Sequence, residues 1–287
     1  MDRIAMMKSA QPHNITEPLL RVRDLVKTFG ARRKGEKLGP IIAVDHVNFT
    51  LEAGRCLAVV GESGSGKSTL ARTLLRLIEA DGGEVLYRGR DLLTLPAAEM
   101  RRQRREIQMV FQDPYASLHP RRTVAQLISE PWEIHADVLE KSRRSPRITE
   151  LLGLVNLPLD VRDHYPNQLS GGQRQRVAIA RALALEPKIL IPDEPVSALD
   201  VSVQAQVIKV LMELRERLDL AYIFVSHDLA LVRLVADEMA VMYKGAFVEL
   251  GLTSEVFEDP HDDYTKKLLA SSLTLSAQHA LSETGGF

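Results

Sequence analysis

Short apolar runs separated by turns open the patterned part of the chain. Three of them have the length and composition of β-strands: Leu20 to Val26, Ile41 to Leu51, and Leu57 to Val60. Strands that follow one another across turns commonly pair as neighbours in opposite directions. The sequence therefore predicts an antiparallel sheet over this first segment, from Leu19 to about Val60.

Beyond this segment, helical periodicity alternates with further apolar runs. A stripe of apolar residues from Leu70 to Ile78 predicts one helix, which Asp81-Gly82-Gly83 ends, and a second amphipathic helix covers Val203 to Leu218. Such alternation is typical of an α/β fold. Four runs between the helices are predicted as strands: Glu84 to Arg88, Ile107 to Phe111, Ile189 to Ile191, and Tyr222 to Val225.

The stretch from Thr123 to about Leu157 is helical in pattern and lies between two predicted strands. Its first residues, Thr123 and Gln126, have the spacing of a capping box. We interpret residues 113–165, approximately, as a small helical insert within a main domain that covers residues 19–270. Three prolines are expected to break the insert into short helices: Pro131, Pro146 and Pro158.

A glycine-rich segment joins the strand that ends at Val60 to the first helix. Its residues from Gly61 to Thr69 fit the pattern G-x-x-x-x-G-K-[ST], in which backbone N–H groups and a helix N-terminus attract phosphate. A glycine-rich turn without a ligand is the alternative. Lys67 would reach the β- and γ-phosphates of ATP, and Ser68 would offer its hydroxyl to Mg²⁺. The predicted ligands of the nucleotide are Gly61, Ser63, Gly64, Ser65, Gly66, Lys67, Ser68 and Thr69.

A second cluster of serine and glycine precedes the helix predicted from Arg174 to Leu185. A serine and two glycines at a helix N-terminus form a further anion site. One nucleotide needs one phosphate cradle, so we expect this cluster to serve a nucleotide held mainly by another copy of the fold. Its predicted ligand residues are Ser170, Gly171, Gly172 and Gln173.

Two adjacent carboxylates, Asp193 and Glu194, follow the apolar strand that begins at Ile189. In a phosphate-loop protein the first acid at such a strand end holds Mg²⁺, and the second is placed to activate a water for attack on the γ-phosphate. A surface pair of acids is the alternative. His227 follows the strand Tyr222 to Val225 at the edge where open α/β sheets bind ligands, although a lone histidine is usually structural.

Composition and charge limit the function classes. The 287 residues, 45% of them hydrophobic, can bury a full core, and a net charge of -1 offers no general attraction to nucleic acid. Cys56, the single cysteine, excludes an internal disulfide and is expected to pack in a strand. No apolar run reaches the length of about 18 residues that spans a bilayer, so we expect a cytoplasmic chain whose membrane partners are separate.

Two basic stretches and the two ends of the chain are predicted to be exposed to solvent. Gly30 to Pro40 is predicted to be a solvated, mobile loop, and the arginines between Met100 and Glu106 are predicted to form a solvated face. Residues 1–18 are expected to be a flexible N-terminal tail, and the polar residues 271–287 a frayed C-terminal tail.

The ordered motifs resemble the nucleotide-binding subunit of ABC transporters, with a RecA-like phosphate-loop core. They comprise the phosphate loop, Gln112, the segment Leu169 to Gln173, the two acids, the loop Ser197 to Asp200, and His227. The resemblance implies ATP and Mg²⁺ as ligands. It further implies that Phe29 stacks on adenine, that Gln112 links Mg²⁺ to the helical insert and takes part in catalysis, and that His227 acts near the γ-phosphate. Asp200 would line the nucleotide site, while Ser170 and Gly172 would close on the ATP of the opposing subunit.

A narrower resemblance, to the oligopeptide, dipeptide and nickel importer branch, covers most of the chain. It rests on Phe111 to Arg121, Asp193 to Gln206, and Phe257 to Leu269, and the Pro-Arg pair at the end of the first segment is similar to the F-type ATPase of a two-ATPase importer. This implies an ATPase at the cytoplasmic face of the membrane that drives peptide import, with a second ATPase, two permease subunits and an extracytoplasmic solute-binding protein as partners.

Two alternatives remain open at this stage. One is an accessory ABC ATPase of a soluble complex, such as one that cleaves phosphonate C–P bonds, and the other is a subunit that only binds nucleotide. The sequence also departs from the branch at Pro192, which stands in the strand that carries the acids. Since proline cannot donate to a sheet, we expect either a bulge there or a slightly perturbed site.

Overall fold

The computed structural model describes residues 17–30, 32–33, 36–37, 39–113 and 117–271. Its strands form a six-stranded sheet, a four-stranded sheet and a two-stranded hairpin. In chain order the strands are β1 (Leu20–Phe29), β2 (Arg32–Arg33), β3 (Glu36–Lys37), β4 (Ile41–Leu51), β5 (Cys56–Val60), β6 (Gly82–Tyr87), β7 (Arg90–Asp91), β8 (Ile107–Val110), β9 (Ile189–Pro192), β10 (Ala221–Ser226), β11 (Glu238–Tyr243) and β12 (Ala246–Leu252).

The helices fall between and after these strands. Two short 3₁₀ helices, Leu159–Asp163 and Pro166–Gln168, lie among them. In chain order the α-helices are α1 (Lys67–Leu74), α2 (Ala97–Gln103), α3 (Val124–Ile134), α4 (Lys141–Leu154), α5 (Gly171–Leu183), α6 (Val201–Leu218), α7 (Leu229–Val235), α8 (Thr253–Glu258) and α9 (263–271).

The larger sheet has the strand order β12-β11-β5-β10-β9-β8. Its strands from β11 to β8 are parallel, and β12 pairs antiparallel at one edge. This architecture confirms the predicted α/β phosphate-loop core. The assignment of Leu57 to Val60 to the antiparallel sheet is wrong, because β5 pairs with β10 and β11 in the parallel sheet. Every residue of β5 is buried, as expected of a strand covered on both faces.

The antiparallel sheet has the order β4-β1-β6-β7, with β1 paired to both β4 and β6. Between β1 and β4 the chain forms the hairpin β2-β3, so part of the stretch predicted to be a mobile loop is paired backbone. The N-terminal tail before residue 17 and the C-terminal tail after residue 271 lie outside the described residues.

Hydrophobic residues of the large sheet point alternately into two clusters. Cys56, Ala58 and Val60 of β5 join one cluster with the helices α3 to α7, whereas Leu57 and Val59 join a second with α1 and the antiparallel sheet. The sheet is therefore the middle layer of the fold. Each fully buried valine or leucine contributes about 1.5–3 kcal/mol, so the layers hold the carboxyl ends of the strands in fixed positions. Burial also raises the pKa of the Cys56 thiol to about 12, in agreement with a packing role.

The region between β8 and β9 is helical where the structure describes it, and Thr123 and Gln126 form the predicted capping box at the start of α3. Pro158 precedes a 3₁₀ helix, as a helix-breaking residue should. Pro131 and Pro146 do not break the insert, since α3 and α4 continue through them. Packing outweighs the cost of about 3 kcal/mol for an internal proline, because each helix buries several large apolar side chains, such as the fully buried Trp132 of α3.

The predicted solvated face of arginines is only partly solvated. Arg101 and Arg102 are exposed, but Arg104 donates hydrogen bonds to the carbonyl oxygens of Leu75 (2.9 Å) and Arg76 (2.7 Å). These bonds satisfy carbonyl groups at the end of α1. Arg104 thus ties the C-terminal end of α2 to the helix that follows the phosphate loop.

Pro192 lies inside the sheet, in β9 between β8 and β10. Leu190 pairs with Tyr222, and Asp193 pairs with Val225 at the same offset, so the strand contains no bulge on this side. The ladder toward β10 is instead interrupted between these two pairs. The first alternative from the sequence is therefore wrong, and the two acids keep the register of the strand.

Candidate active site

The phosphate loop between β5 and α1 is packed tightly against neighbouring backbone. Gly61 and Gly66 have φ angles of 149° and 114°, and a Cβ atom at these positions would lie 2.2 Å from Met242 O and 2.1 Å from Ala43 O. The Ser65 carbonyl accepts a hydrogen bond of 2.8 Å from the N–H of Gly245, in the turn between β11 and β12. Only glycine fits these two positions. The close packing around them and the hydrogen bond to Gly245 hold the phosphate loop in one shape.

Lys67, the first residue of α1, is folded back over this loop. Its Nζ donates to the carbonyl oxygens of Gly61 (2.8 Å) and Glu62 (2.9 Å), and the residue is buried. Burial lowers the pKa of the ammonium group, while the carboxylates of Glu194 and Asp193 act in the opposite direction. The lysine is thus a buried cation at a helix N-terminus, which is the combination that binds phosphate oxygens.

Ser68 and Asp193 come together from α1 and the end of β9. The serine Oγ donates to Asp193 Oδ1 at 2.9 Å, and Asp193 is completely buried. Its second oxygen, Oδ2, has no hydrogen-bond partner in the part of the chain that the structure describes. Burial is the main reason why the pKa of Asp193 is raised. A buried, unsatisfied carboxylate oxygen beside a hydroxyl fits a hard divalent cation such as Mg²⁺.

Glu194 lies at the centre of a polar cluster formed by three strand ends. Gln112 after β8 donates from Nε2 to Glu194 Oε2 at 2.7 Å, and His227 after β10 has its Nδ1 at 3.4 Å from Glu194 Oε1. The N–H of Glu194 donates to Val225 O at 2.9 Å, and its φ of 47° turns the chain away from the strand direction. The sequence indicated Gln112, Glu194 and His227 as separate candidates. The parallel sheet brings their side chains together at the carboxyl ends of its strands.

Ser197 belongs to the same cluster, although the sequence indicated it only as the start of a loop. Its Oγ donates to the Glu194 carbonyl at 3.2 Å and lies 3.4 Å from Gln112 Nε2. Ser197 thus closes a tight turn after Glu194 and also contacts Gln112. The sequence could have indicated this contact, because Ser197 stands only three residues after Glu194.

The second serine and glycine cluster forms the N-terminus of α5. Ser170 accepts from Gln173 N at 3.3 Å, and Gln173 Oε1 accepts from Ser170 N at 2.9 Å, which is a complete capping box. A Cβ on Gly171 would lie 2.9 Å from Leu199 Cδ2, and one on Gly172 would lie 2.3 Å from Val203 Cγ1. The two glycines let α5 approach Leu199 and the first turn of α6, and the side chain of Ser170 is exposed.

Phe29 and Asp200, two further predicted nucleotide ligands, are both exposed. Phe29 ends β1 with its ring exposed, and the Lys27 ammonium lies 5.4 Å from the ring centroid. Asp200 is the exposed N-cap residue of α6, and its side chain makes no capping bond. Both side chains are accessible to a ligand or to a partner.

Residues 44–197 match the family model described as ABC transporter. The chain belongs to the ABC transporter family. Its oligopeptide transport relative AppF from Bacillus subtilis (strain 168) is 46% identical over 258 residues, which cover 89% of this chain and 78% of AppF. The glutathione import ATP-binding protein GsiA of Escherichia coli (strain K12) is 48% identical over 257 residues, and the chain spans 41% of the length of GsiA.

Solved structures of ABC cassettes share the fold. The dimeric post-hydrolysis state of the cassette MJ0796 with ADP and Pi has a TM-score of 0.72 at 30% identity, over 82% of this chain and 98% of that one. CbiO1 from Clostridium perfringens, part of the transporter complex CbiONQ, has a TM-score of 0.73 at 28% identity, over 85% of this chain and 92% of that one. The protein is thus an ABC-type ATPase that binds and hydrolyses ATP.

This ABC ATPase has no described helix that is both long and apolar enough to cross a membrane. The site is formed by the loops at one edge of the large sheet, where the phosphate loop follows β5 and the three polar side chains follow β8, β9 and β10. The phosphate loop and the three polar side chains therefore lie at the edge where open α/β sheets bind ligands.

Proposed function

We propose that this ABC ATPase drives the import of peptides, or of a similar solute, through separate permease subunits in the cell membrane. The observation that carries the proposal is the 46% identity to AppF, an oligopeptide transport ATP-binding protein, over most of both chains. GsiA, a glutathione import protein, supports the same solute class, because glutathione is itself a small peptide.

The proposal assigns the chain to the cytoplasmic face of the membrane as a peripheral subunit. Since none of the described helices could cross a membrane, passage of the solute would require permease subunits, two in the arrangement implied by the resemblance. An extracytoplasmic binding protein would deliver the solute. A second ATPase, identical or related, would complete the assembly, and the F-type resemblance favours a related one.

ATP binding is assigned to the phosphate loop, Lys67 and Phe29. The loop amides and the buried ammonium would hold the triphosphate, and the exposed ring at the end of β1 would stack on adenine. Ser68 and Asp193, with Gln112, would hold Mg²⁺, which when bound neutralises phosphate charge. These residues bind and orient ATP with its γ-phosphate toward the polar cluster.

Hydrolysis is assigned to the cluster around Glu194. The carboxylate would take a proton from the attacking water, because the fixed amide of Gln112 and the imidazole of His227 hold it in place on either side. His227 would also contact the γ-phosphate. Ser170, Gly172 and Asp200 are assigned to the face that closes on a second ATPase, and the exposure of Ser170 and Asp200 supports this assignment.

A purification of the tagged chain from detergent-solubilised native membranes tests the proposal. Co-purification of two multi-span proteins and a second ATPase, identified by mass spectrometry, is the expected result. If none of these proteins co-purifies and a soluble enzyme assembly does, the result would contradict import. The chain would then be an accessory ABC ATPase of a soluble complex. The variant Glu194→Gln serves as a control for integrity, since it should retain the partners while losing hydrolysis.

A further inference from the structure

The C-terminal helix α9 contacts the phosphate loop through one tyrosine. The hydroxyl of Tyr264 accepts a hydrogen bond of 3.1 Å from the N–H of Glu62, although 202 residues separate the two in sequence. No role for Tyr264 follows from the nucleotide-binding motifs, which end at His227. The contact places a residue from the end of the described chain at the beginning of the nucleotide site.

Several contacts hold α9 in the position that this hydrogen bond requires. Glu249 of β12 accepts from the N–H groups of His261 (2.8 Å) and Asp262 (3.1 Å), and Asp262 Oδ1 accepts from Tyr264 N at 2.8 Å. The ring of Tyr264 packs on that of Tyr243 with centroids 4.3 Å apart. The helix start is thus satisfied by carboxylates, and the tyrosine is fixed by an aromatic pair.

The hydrogen bond acts on one peptide group of the loop. The carbonyl of Gly61 and the N–H of Glu62 belong to the same peptide unit; Lys67 Nζ donates to its oxygen at 2.8 Å, and Tyr264 accepts from its nitrogen. A cation on the oxygen strengthens the N–H as a donor, so the two bonds reinforce each other. Rotation of this peptide would break both of them at once.

We propose that Tyr264 is a positioning residue that fixes the Gly61–Glu62 peptide and thereby holds the phosphate loop in the shape that receives ATP. A loop that is ordered before binding loses less conformational entropy when ATP arrives. Removal of the hydroxyl therefore weakens nucleotide binding. The rate at saturating ATP is unaffected, because the groups that act on water follow β8, β9 and β10 and are not touched by Tyr264.

Tyr264→Phe in the full chain is the direct test, since it removes the hydroxyl and keeps the ring. Tyr243→Phe is the matched control, because it removes a hydroxyl from the other ring of the pair and leaves the Glu62 contact intact. We expect Tyr264→Phe to raise the Kd of a fluorescent ATP analogue and the KM for ATP by about three- to tenfold, with kcat unchanged. Amide hydrogen exchange in peptides covering residues 61–67 should become faster.

Two results would overturn the proposal. One is an unchanged Kd in Tyr264→Phe, and the other is an equal rise of Kd in Tyr243→Phe, which would indicate a general effect of the aromatic pair. Tyr264→Ala provides a second measurement: it should weaken binding at least as much as Tyr264→Phe. Far-UV circular dichroism at the assay temperature, which should show Tyr264→Phe to be as fully folded as the parent, separates the loop effect from loss of folding.

Discussion

Gln112 Nε2 and Glu194 Oε2 are joined by a hydrogen bond of 2.7 Å across 82 residues of sequence. Gln112 follows β8 at the point where the chain leaves the sheet for the helical region, and Glu194 follows β9, the strand by which the chain returns to the sheet. A shift of the insert would therefore be transmitted to the carboxylate. The bond offers a physical route by which the insert and the hydrolysis site affect each other.

Glu194→Gln should abolish hydrolysis while ATP binding persists. The amide has the shape of the carboxylate and can still accept from Gln112, but it takes no proton from water, so the rate should fall by about 10²- to 10⁴-fold. ATP turnover and size-exclusion chromatography with ATP measure this, and a trapped ATP-bound dimer is expected. Glu216→Gln, an exposed acid on α6, is the control and should hydrolyse ATP normally. Turnover at the parent rate in Glu194→Gln would show that another group is the base.

Asp193→Asn should raise the stability of the nucleotide-free protein at neutral pH. Burial raises the pKa of Asp193 in the folded state. Above this folded-state pKa the buried carboxylate is charged, and its charge lowers the free energy of unfolding by the full amount. This loss shrinks as the pH falls from the folded-state pKa to the pKa of the unfolded state, where it disappears. Melting temperatures in EDTA should therefore differ most near neutral pH and converge on acidification.

The same variant should lose the stabilisation that Mg²⁺ and ATP give the parent, because a neutral amide is a poorer ligand for the cation. Thr73→Val is a suitable control in α1: its hydroxyl bonds only the carbonyl of Thr69, at 2.8 Å, in the described structure. A less stable Asp193→Asn at neutral pH would contradict the conclusion that burial of the Asp193 carboxylate destabilises the nucleotide-free protein.

Gly172→Ala should destabilise the contact between α5 and α6. The added Cβ would lie 2.3 Å from Val203 Cγ1, so we expect a loss of about 1–3 kcal/mol in the free energy of unfolding by denaturant. Gly171→Ala is the matched control, because its Cβ meets the flexible end of Leu199 and should cost less. Addition of Val203→Ala to Gly172→Ala should recover part of the loss. If Gly172→Ala is as stable as the parent, the two helices separate easily at this point.

Pro192→Cys should preserve ATP hydrolysis. The strand keeps its register on both sides of the proline, and Asp193 N donates to Val110 O at 2.9 Å, so the acids are positioned by their own backbone bonds. A residue with an N–H group can fill the interruption in the ladder toward β10 without moving them. Steady-state turnover tests this. A marked loss of activity would show that the proline itself adjusts the site.

Local rules predicted the elements on which the site depends. The capping box at Thr123, a helix directly after the phosphate loop, a helix after the Ser170 cluster and the apolar strand before Asp193 are all present. Each depends on neighbours within a few residues, so the sequence contains the required information. The α/β class follows from the same local patterns.

Local sequence patterns did not predict the interactions between segments that are distant in sequence. Pro131 and Pro146 were expected to end helices that tertiary packing keeps intact, and β5 was expected in the wrong sheet because its partners β10 and β11 follow it by many residues. Tyr264 was missed for the same reason, since the peptide that it contacts lies at the other end of the domain.

The sequence by itself determined the phosphate-loop motif, the pair of acids that we propose as metal ligand and base, and the resemblance to the family. The tertiary structure alone decided that Gln112, Glu194 and His227 meet at one edge of the sheet, and that Tyr264 reaches the phosphate loop. The physical reason is that residue types and their spacing set what a group can do, whereas parallel strand order and packing set which groups are close enough to do it together.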